Sequence, residues 1–311
     1  MFEKAERGIS AYPHFTEVKE ISLSRYPLSN VLRMTATPAK LRLLLFFVFA
    51  STLAVRAAAD AYSLQENLPY YDAVVTQSDP YIQERCVLDV YFPKDKKDFA
   101  TVVWFHGGGL TSGNKFIPNR LKNQGIAIVA ANYRFSPHVN APTYIEDAAA
   151  AVAWVFKHMA DYGGDPSKIF VSGSSAGGYL TSMIGLDKSW LDRHDIDADR
   201  IAGLIPLAGH TITHFTVREE RGISGTRAVV DELAPLYHVR ADAPPILLVT
   251  GDREKEMLGR YEENAYMMRM LKVVGHPDVR LMELDGYGHA PQEPFYPLLL
   301  AEIDRVLKRQ R

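Results

Sequence analysis

The sequence has few of the features that mark specialised classes of protein. Only Cys86 among its 311 residues is a cysteine, so no disulfide can form within the chain and stability must come from a buried core. Lys and Arg number 35 against 37 Asp and Glu, a balance that gives no strong field to attract nucleic acid or an anionic membrane surface. The isolated Cys86 lies in a strand-like pattern and is interpreted as a buried small hydrophobe.

A long hydrophobic run is also missing. The longest apolar stretch, Leu43–Val55, is too short for a membrane span, and it lies between the basic Lys40 and Arg42 and the small residues Ala57–Ala59. This order is typical of a secretory signal peptide. We expect residues 34–59 to be removed and the mature protein to be exported, periplasmic or extracellular, without stable insertion in a membrane. A buried or anchoring helix is the alternative.

A signal peptide belongs at the N-terminus, yet residues 1–33 precede this one without an apolar periodicity. We therefore expect translation to begin at Met34 rather than Met1, in which case residues 1–33 are not part of the native protein.

Residues 60–311 are predicted to form one domain in which strands alternate with amphipathic helices. Several strand candidates are continuous apolar runs, as expected of strands covered on both faces, and the helical pattern after Tyr144 places Ile145, Val152 and Phe156 on one face. This alternation predicts a mostly parallel sheet of about eight strands with helices on both faces. A polar excursion at 208–243 follows a strand end and is interpreted as a lid or pocket wall. The strand candidates are 86–92, 101–105, 127–132, 169–172, 201–207, 246–250 and 279–284.

The segment "VSGSSAGG" contains the pattern GxSxG, placed between a predicted strand and a predicted helix. A sharp turn from strand to helix holds its central residue in a strained conformation, and small neighbours keep the hydroxyl accessible. We predict Ser175 to be a nucleophile, because only this serine, and not Ser174, has glycines two residues away on both sides.

The segment "FHGGGL" leaves another buried strand, and consecutive glycines allow backbone N–H groups to approach a substrate closely. The N–H groups of Gly107, Gly108 and Ala176 are predicted to bind the oxyanion of an acyl-transfer intermediate. His106 is expected to orient this loop rather than act as a base.

The base is predicted to be His289, which follows the last predicted strand in "GYGHAP". The acid that orients it should follow the strand "ILLVT", where "GDREKE" holds three carboxylates; Asp252 is preferred because it leaves the strand first, and Glu254 is the alternative. The other acids there are interpreted as a solvated helix face. His210 and His214 are four residues apart and could form a metal pair, but no third ligand lies nearby, and pocket lining is preferred.

With the motifs HGGG and GxSxG and the order Ser175, Asp252, His289, the chain resembles α/β-hydrolases of the carboxylesterase and hormone-sensitive-lipase-like group. It is similar among these to bacterial acetyl xylan and feruloyl esterases. The resemblance covers about 87–307, and it departs from many relatives in reading GSSAGG rather than GDSAGG.

The resemblance implies a serine carboxylic-ester hydrolase that forms an acyl-enzyme and needs no metal or organic cofactor. We expect it to act on short-chain or carbohydrate-linked esters, such as acetyl or feruloyl groups on a small molecule or polysaccharide. A serine exopeptidase and a catalytically silent binding protein are the alternatives. No nucleic-acid partner is expected, and the sequence does not indicate an oligomeric state.

Overall fold

An eight-stranded sheet organises the part of the chain that the computed structural model describes, residues 61–309. The predicted signal peptide and the segment 1–33 lie outside these residues. The strands lie side by side in the order β1-β2-β4-β3-β5-β6-β7-β8. They comprise β1 (Tyr62–Pro69), β2 (Val87–Pro93), β3 (Phe99–Phe105), β4 (Ala127–Ala131), β5 (Gly164–Ser174), β6 (Gly203–Leu207), β7 (Ile246–Gly251) and β8 (Val279–Leu284).

Two pairings at one edge of the sheet, β1 with β2 and β2 with β4, are antiparallel, and the other five are parallel. The predicted α/β architecture with about eight strands is confirmed. Sequence analysis missed only β1, an edge strand whose residues Gln65 and Glu66 are exposed, so it lacks the apolar run that identified the other strands.

α-Helices connect the parallel strands from β4 to β8, as the alternating pattern predicted, whereas a loop with one 3₁₀ turn joins β3 to β4. Three short 3₁₀ helices, Asn119–Leu121, Ala198–Arg200 and Pro235–His238, complete the secondary structure. The α-helices are α1 (Ala73–Ser78), α2 (Pro80–Arg85), α3 (Thr143–His158), α4 (Ala176–Leu186), α5 (Ser189–Asp192), α6 (Phe215–Glu220), α7 (Arg260–Val273) and α8 (Gln292–Arg309).

The sheet buries side chains on both faces. In β3, Val103 and Phe105 join the core beneath α3 and α4, while the alternate residues Val102 and Trp104 join the core beneath α8. The predicted apolar face of α3 is confirmed, since Ile145 and its partners are buried. Burial of each such side chain stabilises the folded state by on the order of 1.5–3 kcal/mol. The sheet is therefore fixed between two layers of helices.

Cys86 precedes β2 and is 1% exposed, as predicted for a small hydrophobe. Burial raises the pKa of its thiol to about 12, so it stays protonated at neutral pH. Within residues 61–309, no helix combines the length and hydropathy that crossing a membrane requires.

Parallel strands end at a common edge, and the loops that follow them therefore converge. The loops after β3, β5, β7 and β8 bring His106, Ser175, Glu256 and His289 to this edge. The candidate site is built from these four loops.

Candidate active site

Ser175 occupies the sharp turn between β5 and α4. Its backbone angles, φ +56° and ψ −112°, are strained for a residue with a side chain. The turn is held by the Ser175 N–H, which donates to the Leu207 carbonyl of β6 at 2.8 Å. A Cβ on Gly177 would lie 2.1 Å from the Phe105 carbonyl oxygen, so this glycine is required by close packing rather than by flexibility.

The hydroxyl of Ser175 faces His289 from the loop after β8. His289 Nε2 lies 2.8 Å from Ser175 Oγ, although 114 residues separate the two in the chain. Ser175 is half-buried, whereas Ser174 is only 2% exposed. The structure thus brings together the serine and the histidine that the sequence predicted.

The carboxylate that contacts His289 belongs to Glu256, not to the predicted Asp252. Glu256 Oε2 lies 2.6 Å from His289 Nδ1, and its side chain is 1% exposed. The prediction of Asp252 as the orienting acid is wrong in this structure, and the alternative Glu254 is exposed to solvent.

The loop after β7 explains why the first acid does not reach the histidine. The Asp252 carboxylate accepts hydrogen bonds from the backbone N–H groups of Glu254 and Gly286, both at 2.9 Å, and so closes a turn. These bonds lower the pKa of Asp252. The Glu256 N–H donates to the Asp252 carbonyl at 2.8 Å, and this turn carries the longer Glu256 side chain back toward His289.

Glu256 is held as an anion in a buried position. Burial alone would raise its pKa, but hydrogen bonds from His289 and from the Gly251 N–H, the latter at 2.8 Å, bring the net pKa below its ordinary value. A carboxylate at Nδ1 fixes the imidazole tautomer with its proton on Nδ1, which leaves Nε2 to accept a proton from Ser175.

Gly107 and Gly108 lie beside the serine in the loop after β3. A Cβ on Gly107 would be 3.4 Å from Ser175 Cβ, and Gly108 has φ +116° with the Ser112 carbonyl 2.1 Å from its Cβ position. Within residues 61–309, no hydrogen bond engages the backbone N–H of Gly107, Gly108 or Ala176. These N–H groups have no competing acceptor, and their role as oxyanion donors remains a prediction.

His106 lies under this loop and does not contact Ser175. Its ring is 2% exposed, stacks on Tyr133 at 4.5 Å and places Nδ1 2.6 Å from the Gly107 carbonyl. Burial lowers the pKa of His106 to about 4, so the ring is neutral at physiological pH. This placement agrees with its predicted role in orienting the loop.

A cavity of about 530 Å³ opens in front of Ser175. Its wall mixes apolar side chains with two carboxamides and the backbone of the glycine loop. The lining residues outside that loop include Asn114, Phe116, Phe215, Met257, His289 and Gln292. Of the excursion 208–243, Phe215 reaches this wall, which makes α6 part of the pocket rather than a separate cover.

His210 and His214 are buried, and it is their neighbour Phe215 that lines the cavity. His210 Nδ1 lies 2.8 Å from Glu263 Oε1, and His214 Nδ1 accepts the Thr216 N–H at 3.2 Å. Burial lowers the pKa of both rings. No cluster of three metal-ligating side chains occurs among residues 61–309. Both histidines pack the base of α6.

Glu256 is the site residue that sequence analysis missed. It was counted among the three acids of "GDREKE" but was assigned to a solvated helix face. The chain offers no local pattern that separates Asp252, Glu254 and Glu256, because the choice depends on how the turn folds back.

A mostly parallel sheet with a strained serine at the end of a central strand defines the α/β-hydrolase fold, and the chain has this fold. The BD-FAE family matches residues 88–202, which include the glycine loop after β3 and the turn that carries Ser175. The resemblance to esterases of this fold is confirmed by the relatives. Esterase LipC of Mycobacterium tuberculosis is 28% identical over 228 residues, 65% of this chain and 56% of the relative.

Carboxylesterase NlhH of the same organism is 36% identical over 102 residues, 30% of this chain and 32% of the relative. The chain thus spans about half the length, or less, of these curated relatives.

Solved structures agree on the fold. A truncated carbohydrate esterase from gut microbiota aligns with a TM-score of 0.65 at 19% identity, covering 79% of this chain and 97% of that one. Esterase 2 of Thermogutta terrifontis, phosphoramylated by tabun, aligns with a TM-score of 0.59 at 23% identity, covering 80% and 94%.

Proposed function

We propose that this protein is a serine carboxylic-ester hydrolase. The observation that carries the proposal is the continuous hydrogen-bonded row from Ser175 Oγ through His289 to Glu256, at 2.8 and 2.6 Å, beside unengaged N–H groups of the glycine loop. The esterase names of the relatives support the same class of reaction.

In the proposed mechanism, Ser175 attacks the ester carbonyl while His289 Nε2 takes the hydroxyl proton. Glu256 stabilises the imidazolium that forms, and the N–H groups of Gly107, Gly108 and Ala176 bind the oxyanion. Collapse of this intermediate breaks the bond to the alcohol, which leaves with the proton held by His289. Water then attacks the acyl-enzyme by the same steps, releasing the acid and restoring Ser175.

We propose short-chain or carbohydrate-linked esters, such as acetyl or feruloyl esters, as substrates. Support comes from a cavity that offers hydrogen-bonding carboxamides beside aromatic rings, and from the carbohydrate esterase among the structures of similar fold. The arrangement needs no metal or organic cofactor, because acid, base, nucleophile and oxyanion donors are all supplied by the chain.

The test is hydrolysis of phenyl acetate by the purified protein and by Ser175→Ala. We expect the variant to lose at least three orders of magnitude in kcat/KM while its circular dichroism spectrum and melting temperature are retained. Ser182→Ala, in the buried part of α4 outside the cavity, is the matched control and should keep its activity. Wild-type hydrolysis of an aminoacyl anilide without phenyl acetate turnover would favour the exopeptidase alternative.

We also propose export of the mature protein, on the sequence of residues 34–59 alone. Expression in a bacterium with N-terminal sequencing of the processed product tests it. A mature N-terminus near Asp60 in the periplasmic or extracellular fraction supports export, and an unprocessed protein in the cytoplasm contradicts it.

A further inference from the structure

Two carboxamide side chains, those of Asn114 and Gln292, line the cavity in front of Ser175. The segment carrying Asn114 and Phe116 packs against the start of α8, where Gln292 follows His289 by three residues. Phe116 and Tyr296 both pack on the ring of Trp104, and Arg120 pairs with Glu293 at 2.9 Å. Phe116 and Gln292 therefore lie on the side of the cavity nearest α8, whereas Asn114 contacts Arg85 of α2.

The same cavity must hold the leaving alcohol. In the mechanism proposed above, His289 protonates the alcohol oxygen, so the alcohol must lie next to the imidazole and to the residues beside it. Phe215 packs instead near Gly109, where the ring would lie 3.2 Å from a Cβ. The cavity thus combines apolar side chains with two carboxamides.

Arg85 fixes the orientation of the Asn114 carboxamide. Its guanidinium donates to Asn114 Oδ1 at 2.8 Å, to the Gly113 carbonyl at 3.1 Å and to the Tyr133 carbonyl at 3.2 Å. It also stacks on Phe135 at 4.0 Å, and the residue is 6% exposed. A guanidinium has no acceptor, so the atom of Asn114 that contacts it must be the oxygen.

The Nδ2 group of Asn114 is consequently left as a donor. No hydrogen bond within residues 61–309 engages it, and the residue is exposed at the cavity. Gln292 is arranged in the same way, since its Oε1 accepts the Tyr296 hydroxyl at 2.8 Å. The cavity therefore presents two amide donors and the edge of Phe116, which is 37% exposed.

We propose, building on the ester hydrolase function, that Asn114 is a specificity-determining residue whose Nδ2 donates to an oxygen of the leaving alcohol. The class of alcohol is one rich in hydroxyl or ring oxygens, such as a pyranose, which accepts hydrogen bonds from amides and packs its apolar face on an aromatic ring. Arg85 is the positioning residue that holds this donor in place.

The experiment compares two acetate esters, phenyl acetate and a methyl xylopyranoside carrying one O-acetyl group. Both give the same acetyl-enzyme, so deacylation is common to them and only the alcohol differs. Asn114→Leu removes the donor. Asn114→Asp also removes it but keeps an oxygen for Arg85, so the two variants separate donation to substrate from support of the loop.

We expect both variants to lower kcat/KM for the acetylated pyranoside by about ten-fold, the value of a lost hydrogen bond. The loss for phenyl acetate should be smaller, so the ratio of kcat/KM for the pyranoside to kcat/KM for phenyl acetate should fall in both variants. Asn119→Asp, the same change five residues further along the chain and outside the cavity, should alter kcat/KM for neither ester.

Equal losses for both esters, or a loss in Asn114→Leu that Asn114→Asp restores, would show that the side chain only supports the loop and would overturn the proposal. Unchanged selectivity would overturn it too, while leaving the hydrolase function intact. If wild type hydrolyses neither ester, the proposed function itself fails, and the inference fails with it.

Discussion

Glu256 and His289 are 33 residues apart in the chain, and their side chains meet at 2.6 Å through Oε2 and Nδ1. The contact lies under the cavity, with the carboxylate almost fully buried and the imidazole 26% exposed. A buried anion at this position stabilises a positive charge on the ring, which arises only while a proton is in transit from Ser175.

Replacement of Glu256 by Gln is the first test of this contact. The amide keeps the shape but removes the charge and can present an N–H where the oxygen should accept, which disfavours the active tautomer. We expect kcat/KM for phenyl acetate to fall roughly 10³- to 10⁴-fold, measured by steady-state kinetics.

Asp252→Asn is the matched control for that change. Its carboxylate closes a turn through the Glu254 and Gly286 N–H groups, so the variant should lose some stability but keep kcat/KM within about three-fold. If Asp252→Asn were inactive and Glu256→Gln active, the assignment of the acid would have to be reversed.

Covalent labelling should identify the nucleophile directly. An organophosphate triester should transfer its phosphoryl group to Ser175 Oγ with loss of its aryloxide, because His289 at 2.8 Å accepts the hydroxyl proton. We expect mass spectrometry to place one adduct on the peptide containing Ser175. An adduct on another serine in a protein that has lost activity would contradict this assignment.

Gly108→Ala tests the proposed role of the glycine loop in binding the oxyanion. Gly108 has φ +116°, and an added Cβ would meet the Ser112 carbonyl oxygen at 2.1 Å, so the backbone that carries the Gly108 N–H must shift. We expect kcat to fall on the order of 10²-fold, the cost of one lost oxyanion donor.

Gly222→Ala provides the comparison, since Gly222 also has a positive φ, +70°, but no atom lies within 4 Å of its Cβ position. This variant should lose about 1 kcal/mol of stability and no activity. Equal kinetic constants for Gly108→Ala and wild type would exclude the Gly108 loop from oxyanion binding.

His106 should make the fold sensitive to acid. Its folded-state pKa of about 4 lies below the ordinary 6.5, so between these values the unfolded chain binds a proton that the folded chain does not. Stability therefore falls as pH decreases from 6.5 to 4, by about 3 kcal/mol for this residue.

Urea unfolding at pH 7, 5.5 and 4 measures that loss. His106→Gln is expected to be less stable at pH 7, because its packing on Tyr133 is lost, but to show a shallower dependence on pH. If the free energy of unfolding depended on pH equally in this variant and in wild type, His106 would have the same pKa in the folded and unfolded states.

Residues whose roles depend on their immediate neighbours were predictable from the sequence, and residues whose roles depend on distant contacts were not. Ser175 was predictable because its requirements lie within a few residues: an apolar strand before it, a helix after it, and glycines on both sides to pass the Phe105 carbonyl. His289 was predictable from its position after the last strand. The edge strand β1 was not, because its exposed polar residues carry no apolar pattern.

The apolar runs, the glycine motifs and the chain order of serine, acid and histidine are properties of the sequence. By themselves they determined the fold class and singled out Ser175 and His289, which the structure brings together. Tertiary structure alone decided which of three neighbouring acids meets the imidazole. The physical reason is that Asp252 uses its carboxylate to close a turn, and this turn directs the longer and buried Glu256 side chain to His289.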